Sequence, residues 1–249
     1  MNLIIIQIRN GSTRLPFKSS LSICGQPVLF HLIRRLEKIK INNSKIIVAT
    51  SNSFYDDPIE SLCKANNIDC FRGDLLNVFS RFKYLVEQFK PNYVVRITGD
   101  CPLIYSPLIK ELLNVIIDNH NIDYISNTIN RTSPKGFDVE IFNSNILLNK
   151  FDPSEKDKEH VTAFMYESNS YKTFYYQTKE DFSNIRVTLD TYLDYLLIEK
   201  VLNKWVSYQS KNDVFDLIDA STLNKLISTN NDIRKLHEEA INYSQKSFI

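Results

Sequence analysis

"IIIQIRNGSTRLPFK", residues 4–18, runs an apolar segment straight into a cationic loop. Three consecutive isoleucines without polar alternation predict a strand buried on both faces, as a central parallel strand is. Arg9, Gly11, Ser12, Arg14 and Lys18 follow at once. Backbone N–H groups around Gly11 and Ser12, together with three cations, suit a triphosphate. The loop is neither G-x-x-x-x-G-K-[ST] nor the dinucleotide fingerprint G-x-G-x-x-G. Taken alone, it reads equally as a solvated basic turn.

Outward from this stretch the chain alternates. "PVLFHLIRRLEKI" has helical apolar spacing, and "SKIIVATS" reads as a strand. "DPIESLCKANNI" is a helix with Asp57 and Pro58 as its start signal. "DCFRG" is a short strand and "VFSRFKYLVEQF" a helix. "YVVRITGDCP" is a strand and "SPLIKELLNVIIDN" a helix. Strand and helix in turn predict an α/β fold: a mostly parallel sheet with helices on both faces and the strand C-termini along one edge. After about residue 122 the pattern changes. "DYISNTI", "GFDVEIFN", "YKTFYYQTK" and "IRVTLDT" are expected as strands, with "EKDKEHVTAFMYESN" as the helix among them. "YLDYLLIEKVLNKWV" is an amphipathic helix, and the final "STLNKLISTNNDIRKLHEEAIN" a polar surface helix. The expectation is a single domain over 1–249 with an insertion at about 123–185. That insertion either enlarges the sheet or forms a β-rich arm.

Composition removes several function classes. The 249 residues are 43% apolar and 24% charged, with net charge +1, so no global basic field is available for nucleic acid. No apolar run approaches the roughly 20 residues of a membrane span, and the N-terminal apolar stretch is too short for a signal peptide. Cys24, Cys63, Cys70 and Cys101 show no C-x-x-C spacing, and the four histidines are scattered singly. A zinc site is not expected, and the thiols fit a reducing cytoplasm.

Ligands of open α/β sheets bind beyond the strand C-termini. Gly11, Gly73 and Gly99 each follow a predicted strand beside charged residues. Asp100 ends one such strand and Asp190 a later one. Each alone is more often an N-cap. Neither has an obvious partner nearby in sequence, since Arg96 lies four residues back along an extended strand. Two such carboxylates on one edge could share a Mg²⁺, which takes one or two carboxylates plus phosphate oxygens.

"QIRNGSTRLPFK" resembles the Q-A-R-x-G-S-x-R-L-P-x-K opening of cytidylyltransferases that make CMP-activated acidic sugars, the acylneuraminate and 3-deoxy-manno-octulosonate enzymes. The chain is most similar to their spore-coat polysaccharide biosynthesis branch. The likeness continues at "IIVATS", "DDPIESLC", "FRGDLLNVFSRF", "VVRITGDCPLI", "DYISN", "GFDVEIF", "EHVTAF" and "RVTLDT", and so covers residues 3 to about 200. It implies a Rossmann-like nucleotidyltransferase fold, a cytoplasmic homodimer joined through the insertion, CTP as nucleotide and Mg²⁺ as cofactor. It implies that Arg9, Gly11, Ser12, Arg14 and Lys18 hold the triphosphate and that Asp100 and Asp190 hold the metal. Thr50, Arg72, Gly73, Asn77, Arg81 and Thr98 would complete the nucleotide site. Arg131, Asp138, Glu140, Glu159 and His160 would meet an acidic or phosphorylated acceptor near the insertion.

The chain departs from the pattern at Ile8, usually alanine, at Phe17, often glycine, and at "LDTYLDY", which lacks the family's D-T-P-E-D while keeping Asp190 and Asp194. The implied reaction is attack of an acceptor oxygen on the α-phosphorus with loss of pyrophosphate. Arg14 and Lys18 would stabilise the leaving group, and His160 or Glu159 would be the candidate base. Two rivals stand beside it. A nucleotide-sugar glycosyltransferase would normally carry D-x-D, where "TGDCP" has one acid. A non-catalytic nucleotide-binding subunit would not need every cation and aspartate in place.

Overall fold

The computed structural model describes residues 1–149, 152–209 and 213–246. The apolar opening becomes β1 (Asn2–Gln7). After the cationic loop come a small hairpin, β2 (Ser22–Ile23) and β3 (Gln26–Pro27), and α1 (Val28–Glu37). Then follow β4 (Ser44–Ser51), α2 (Asp57–Ala65), β5 (Cys70–Gly73), α3 (Val78–Phe89), β6 (Tyr93–Thr98) and α4 (Pro107–Asp118). The second half holds β7 (Tyr124–Ser126), β8 (Glu140–Asn143), α5 (Asn145–Asn149), α6 (Glu155–His160), α7 (Ala163–Glu167) and β9 (Thr173–Tyr175). Three helices close the described chain: α8 (Tyr192–Tyr208), α9 (Ala220–Thr229) and α10 (Asn231–Lys246).

Seven strands form one sheet in the order β5-β4-β1-β6-β8-β7-β9. Only β8 runs antiparallel to its neighbours. Gln7 is level with Thr98 on one side, so β1 and β6 stop together, while β4 on the other side continues past Ala49 to Ser51; the loops that follow share one edge. The unbroken apolar run of β1 has a direct cause. Leu3 and Ile5 enter a core with Phe79, Phe82 and Leu85 of α3. Ile4 and Ile6 enter the opposite core with Leu29, Leu32 and Ile33 of α1 and Ile109 and Leu112 of α4. Period-two alternation sends neighbouring residues to opposite faces, and both faces are covered.

Of the two alternatives for the insertion, the structure takes the first: β7, β8 and β9 widen the main sheet. Three other expectations need correction. "IRVTLDT" forms no ladder strand and makes one isolated bridge, Lys135 with Arg186. Its backbone bonds are divided between two loops. Lys135 donates to Ile185 O and Val187 to Lys135 O, each at 2.8 Å, whereas Leu189 donates to Asp100 O at 2.8 Å. The helix expected around residue 160 is broken at Val161 (φ 60°, ψ −51°). That conformation is unusual for a β-branched residue. It is held by burial of the Val161 side chain and by Thr162 Oγ1 donating to Glu140 at 2.7 Å. The C-terminal stretch is two helices divided at Asn230, and it does more than cover the surface. Leu223, Leu226, Ile227, Ile233 and Ala240 join Val187, Leu189, Leu197 and Val201 in a third core. Among the described residues, no helix is long and apolar enough to cross a membrane.

Candidate active site

A cavity of about 640 Å³ opens at the edge where β1 and β6 end. The loop after β1 contributes Arg9, Gly11, Ser12, Arg14 and Lys18, and Thr98, Gly99 and Asp100 follow from β6. Leu75, Leu76, Val78 and Arg81 form another wall, and Asp190 with Glu155 and Glu159 of α6 completes it. A larger cavity, about 830 Å³, lies at the opposite edge among Asn43, Glu87, Lys90, Asn92 and His120. It has a single lysine and a single glutamate where the first gathers Arg9, Arg14 and Lys18 with Asp100 and Asp190, so we assign the site to the smaller one.

The cationic loop is built on Asn10, which is 2% exposed. Its backbone N–H donates to Asp56 Oδ1 at 2.7 Å, and its side-chain amide donates to Tyr55 O at 3.0 Å and accepts from Ser19 Oγ. Its carbonyl accepts from Ser12 N at 2.8 Å and Phe17 N at 3.1 Å, which curls the chain into a closed turn. Asp56 is buried in turn by bonds from Ser51 N and Ser51 Oγ. Phe17 adopts the left-handed region (φ 56°, ψ 24°), where glycine carries no steric cost. Its ring packs on Tyr55 with centroids 6.2 Å apart and is not part of the cavity wall, so it does not narrow the loop.

Asp190 meets three cations. Lys18 Nζ is 3.1 Å and Arg14 Nη2 3.6 Å from Oδ1, while Arg186 Nη2 is 3.0 Å from Oδ2. The expectation that Asp190 lacks a nearby partner is therefore wrong, because Arg186 reaches it from four residues back. Arg186 also holds Asp194 through Nε and Nη2, both at 3.1 Å. Asp194 accepts from the backbone N–H of Asp190 and Thr191 and forms a capping box that starts α8. Desolvation pushes the Asp190 carboxyl up, but Lys18 and Arg186 outweigh it and hold its pKa below the usual carboxylate range.

Asp100 lines the same cavity, and its carbonyl is tied to Leu189, the residue before Asp190. Among the described residues no group of three or more His, Cys, Asp or Glu is arranged to hold a metal ion. Two carboxylates on the wall of a cation-lined cavity nevertheless fit Mg²⁺, whose remaining ligands are phosphate oxygens and water.

Several expected residues stand elsewhere. Arg81 lines the cavity but is 1% exposed, and it donates to the carbonyls of Asp74 (2.7 Å) and Leu75 (2.9 Å). It shapes the wall that carries Leu75 and Leu76. Gly73 lies behind it, where a Cβ would come within 2.9 Å of Arg81 Cγ. Asn77 caps α3 by accepting from Ser80 N at 2.9 Å. Arg72 turns to α2, 2.7 Å from both Asp57 and Glu60. Thr50 is buried within β4, and its hydroxyl has no hydrogen-bond partner. Thr50, Arg72, Gly73 and Asn77 are thus off the cavity wall.

Of the acceptor set, only Glu159 lines the cavity. Arg131 and Asp138 form a two-pronged pair at 2.6 and 3.1 Å. Glu140 is 7% exposed, paired with Arg96, and accepts from Tyr124 Oη at 2.6 Å. It is neither a solvated edge residue nor a cavity group. His160 is exposed and outside the lining. Asn10, Asp56, Arg186 and Glu155 are the parts that sequence reasoning missed. Arg186 carried a usable signal, since it lies four residues before Asp190 and eight before Asp194.

A cytidylyltransferase family model matches residues 3–244. The spore coat polysaccharide biosynthesis protein SpsF of Bacillus subtilis is 31% identical over 81% of this chain and 86% of its own. A 3-deoxy-manno-octulosonate cytidylyltransferase of Actinobacillus pleuropneumoniae is 28% identical over 58% of this chain and 55% of its own. A solved cytidylyltransferase from Leptospira borgpetersenii superposes with TM-score 0.83 at 29% identity, covering 93% of this chain and 95% of that one. The loop after β1, the two aspartates and the sheet that brings them together thus belong to a match running nearly the whole chain, and the protein is a member of the cytidylyltransferase family.

Proposed function

We propose that the protein transfers CMP from CTP to a small acidic or phosphorylated acceptor, releasing pyrophosphate, in the synthesis of a surface polysaccharide or glycan. The observation that carries this reading is the convergence of Arg14, Lys18, Asp100 and Asp190 on one cavity at the strand C-termini. The backbone around Gly11 and Ser12 would cradle the β- and γ-phosphates, with Lys18 and Arg14 stabilising charge that builds on the leaving pyrophosphate. Arg9, at the end of β1, would meet the α-phosphate. Asp100 and Asp190 would hold Mg²⁺, which when bound neutralises phosphate charge. The acceptor would approach along α6, where Glu155 and Glu159 can accept hydrogen bonds from its hydroxyls. Glu159 is the better-placed base, because His160 is off the cavity.

The reaction asks mainly for positioning and charge neutralisation. The buried Asn10–Asp56 support suits the first and the cation set the second. Two copies of the chain would associate through the 123–185 segment, as the family resemblance implies. A pyrophosphate-release screen tests the reading, with four nucleoside triphosphates against acidic sugars and sugar phosphates. Release with CTP and one acceptor class is expected. Release that requires a nucleotide-sugar donor would indicate a glycosyltransferase, and none with any combination would indicate a binding subunit.

A further inference from the structure

The two oxygens of Asp190 have different neighbours. Oδ2 accepts from Arg186, a side chain 5% exposed that is fixed by Asp194. Oδ1 faces Lys18 Nζ at 3.1 Å and Arg14 Nη2 at 3.6 Å, and both of those cations line the cavity. Lys18 also donates to Leu189 O at 3.0 Å, so its ammonium is held on the Asp190 side of the loop. A ligand that recruits Lys18 and Arg14 must therefore compete with a carboxylate already in contact with both.

Resting on the nucleotidyl-transfer reading, we propose that Asp190 is a specificity-determining residue that sets a threshold for phosphate ligands. A polyphosphate wins Lys18 and Arg14 by displacing Oδ1, while Arg186 keeps the carboxylate anchored through Oδ2. The Lys18 and Asp190 side chains are each 14% exposed, so their attraction is screened far less than that of a surface pair. A single phosphate group can reach both cations, since one carboxylate oxygen already does, but it brings little more charge than the carboxylate it must displace. A pyrophosphate unit brings more negative charge and oxygens on two phosphorus atoms, so it competes better for the pair. Displacement also turns Oδ1 from the loop toward the cavity that Asp100 shares. The anchoring arginine thus lets one carboxylate exclude weak anions and then remain at the site once a polyanion has arrived.

The test is calorimetric titration with inorganic pyrophosphate and, separately, orthophosphate, in chelator so that no divalent ion contributes. Asp190→Asn should bind pyrophosphate about tenfold more tightly than the natural protein, a change of about 1.4 kcal/mol. Its preference for pyrophosphate over orthophosphate should narrow. In a Lys18→Ala background the Asp190→Asn gain should shrink, as coupling between contacting residues requires. Thermal unfolding reports whether each variant is folded, and Asp190→Ser serves if the asparagine variant is not. Unchanged or weaker pyrophosphate binding in the folded Asp190 variants, or the same gain without Lys18, overturns the threshold. If the natural protein still releases pyrophosphate from CTP in that case, the nucleotidyl-transfer reading survives. Failure both to bind and to release pyrophosphate overturns both.

Discussion

Leu189 donates its backbone N–H to the carbonyl of Asp100 at 2.8 Å. This bond joins the loop after β6 to the segment entering α8, elements separated by nearly ninety residues of chain. It is how two aspartates with no sequence proximity come to line one cavity. The bond uses backbone atoms only, so either side chain can be changed without cutting it.

Asp100→Asn and Asp190→Asn should each nearly abolish Mg²⁺-dependent turnover while leaving the fold intact. The double variant should be little worse than either single one, because groups that act as a unit are not additive. Steady-state pyrophosphate release and circular dichroism check this. Near-normal Mg²⁺-dependent turnover by Asp190→Asn would remove it from the metal site.

Lys18→Ala should lower turnover more than it weakens CMP binding, since CMP lacks the β- and γ-phosphates that Lys18 would meet. Turnover and CMP affinity measured on the same preparation give the comparison. Equal losses would take Lys18 off the leaving group.

CTP with Mg²⁺ should raise the melting temperature more than ATP, GTP or UTP, because a ligand that binds only the native state stabilises it by mass action. Stabilisation by ATP or GTP without stabilisation by CTP would count against the nucleotide assignment.

His31 should make stability depend on pH. Desolvation and the neighbouring Arg35 lower its pKa from 6.5 to about 4. Its Nε2 lies 2.8 Å from Ile23 O and its Nδ1 3.1 Å from Arg35 Nη1, so the neutral ring donates to the carbonyl and accepts from the guanidinium. The unfolded chain then binds more protons than the native one, and stability falls as pH drops from about 6.5 toward 4. The group's share is at most about 3 kcal/mol. Denaturant titrations across that window should show a shallower slope for His31→Gln, and an unchanged slope would refute the assignment.

The sequence was most legible where short-range pattern decides structure. The helical periodicity across the twelve residues of α3 and the apolar run of β1 appear as expected. The extended 185–191 segment did not, because its apolar alternation looks the same whether its hydrogen bonds go to one strand or to two loops. In the site, Arg9, Gly11, Ser12, Arg14, Lys18, Arg81, Thr98, Asp100, Glu159 and Asp190 line one cavity. The loop motif and the end of β6 account for most of them, whereas Asp190 follows a segment that forms no ladder strand and Glu159 lies on α6. Arg72, Arg131 and Glu140 do not. Their partners Glu60, Asp138 and Arg96 lie 7 to 44 residues away in the chain, and nothing local announces such pairings.

The packing of Ile8 against Gly99 also constrains how this site can change. A Cβ on residue 99 would sit 2.4–2.7 Å from three atoms of the Ile8 side chain, nearer than real contacts allow. Gly99 lies between Thr98 and Asp100, so a bulkier residue there would displace the loop that carries Asp100. Trimming Ile8 to alanine would remove Cγ1 and Cδ1 but leave its Cβ 2.6 Å from the added atom. The two positions are therefore locked together: as long as residue 8 carries any side chain, residue 99 stays glycine or the backbone must shift.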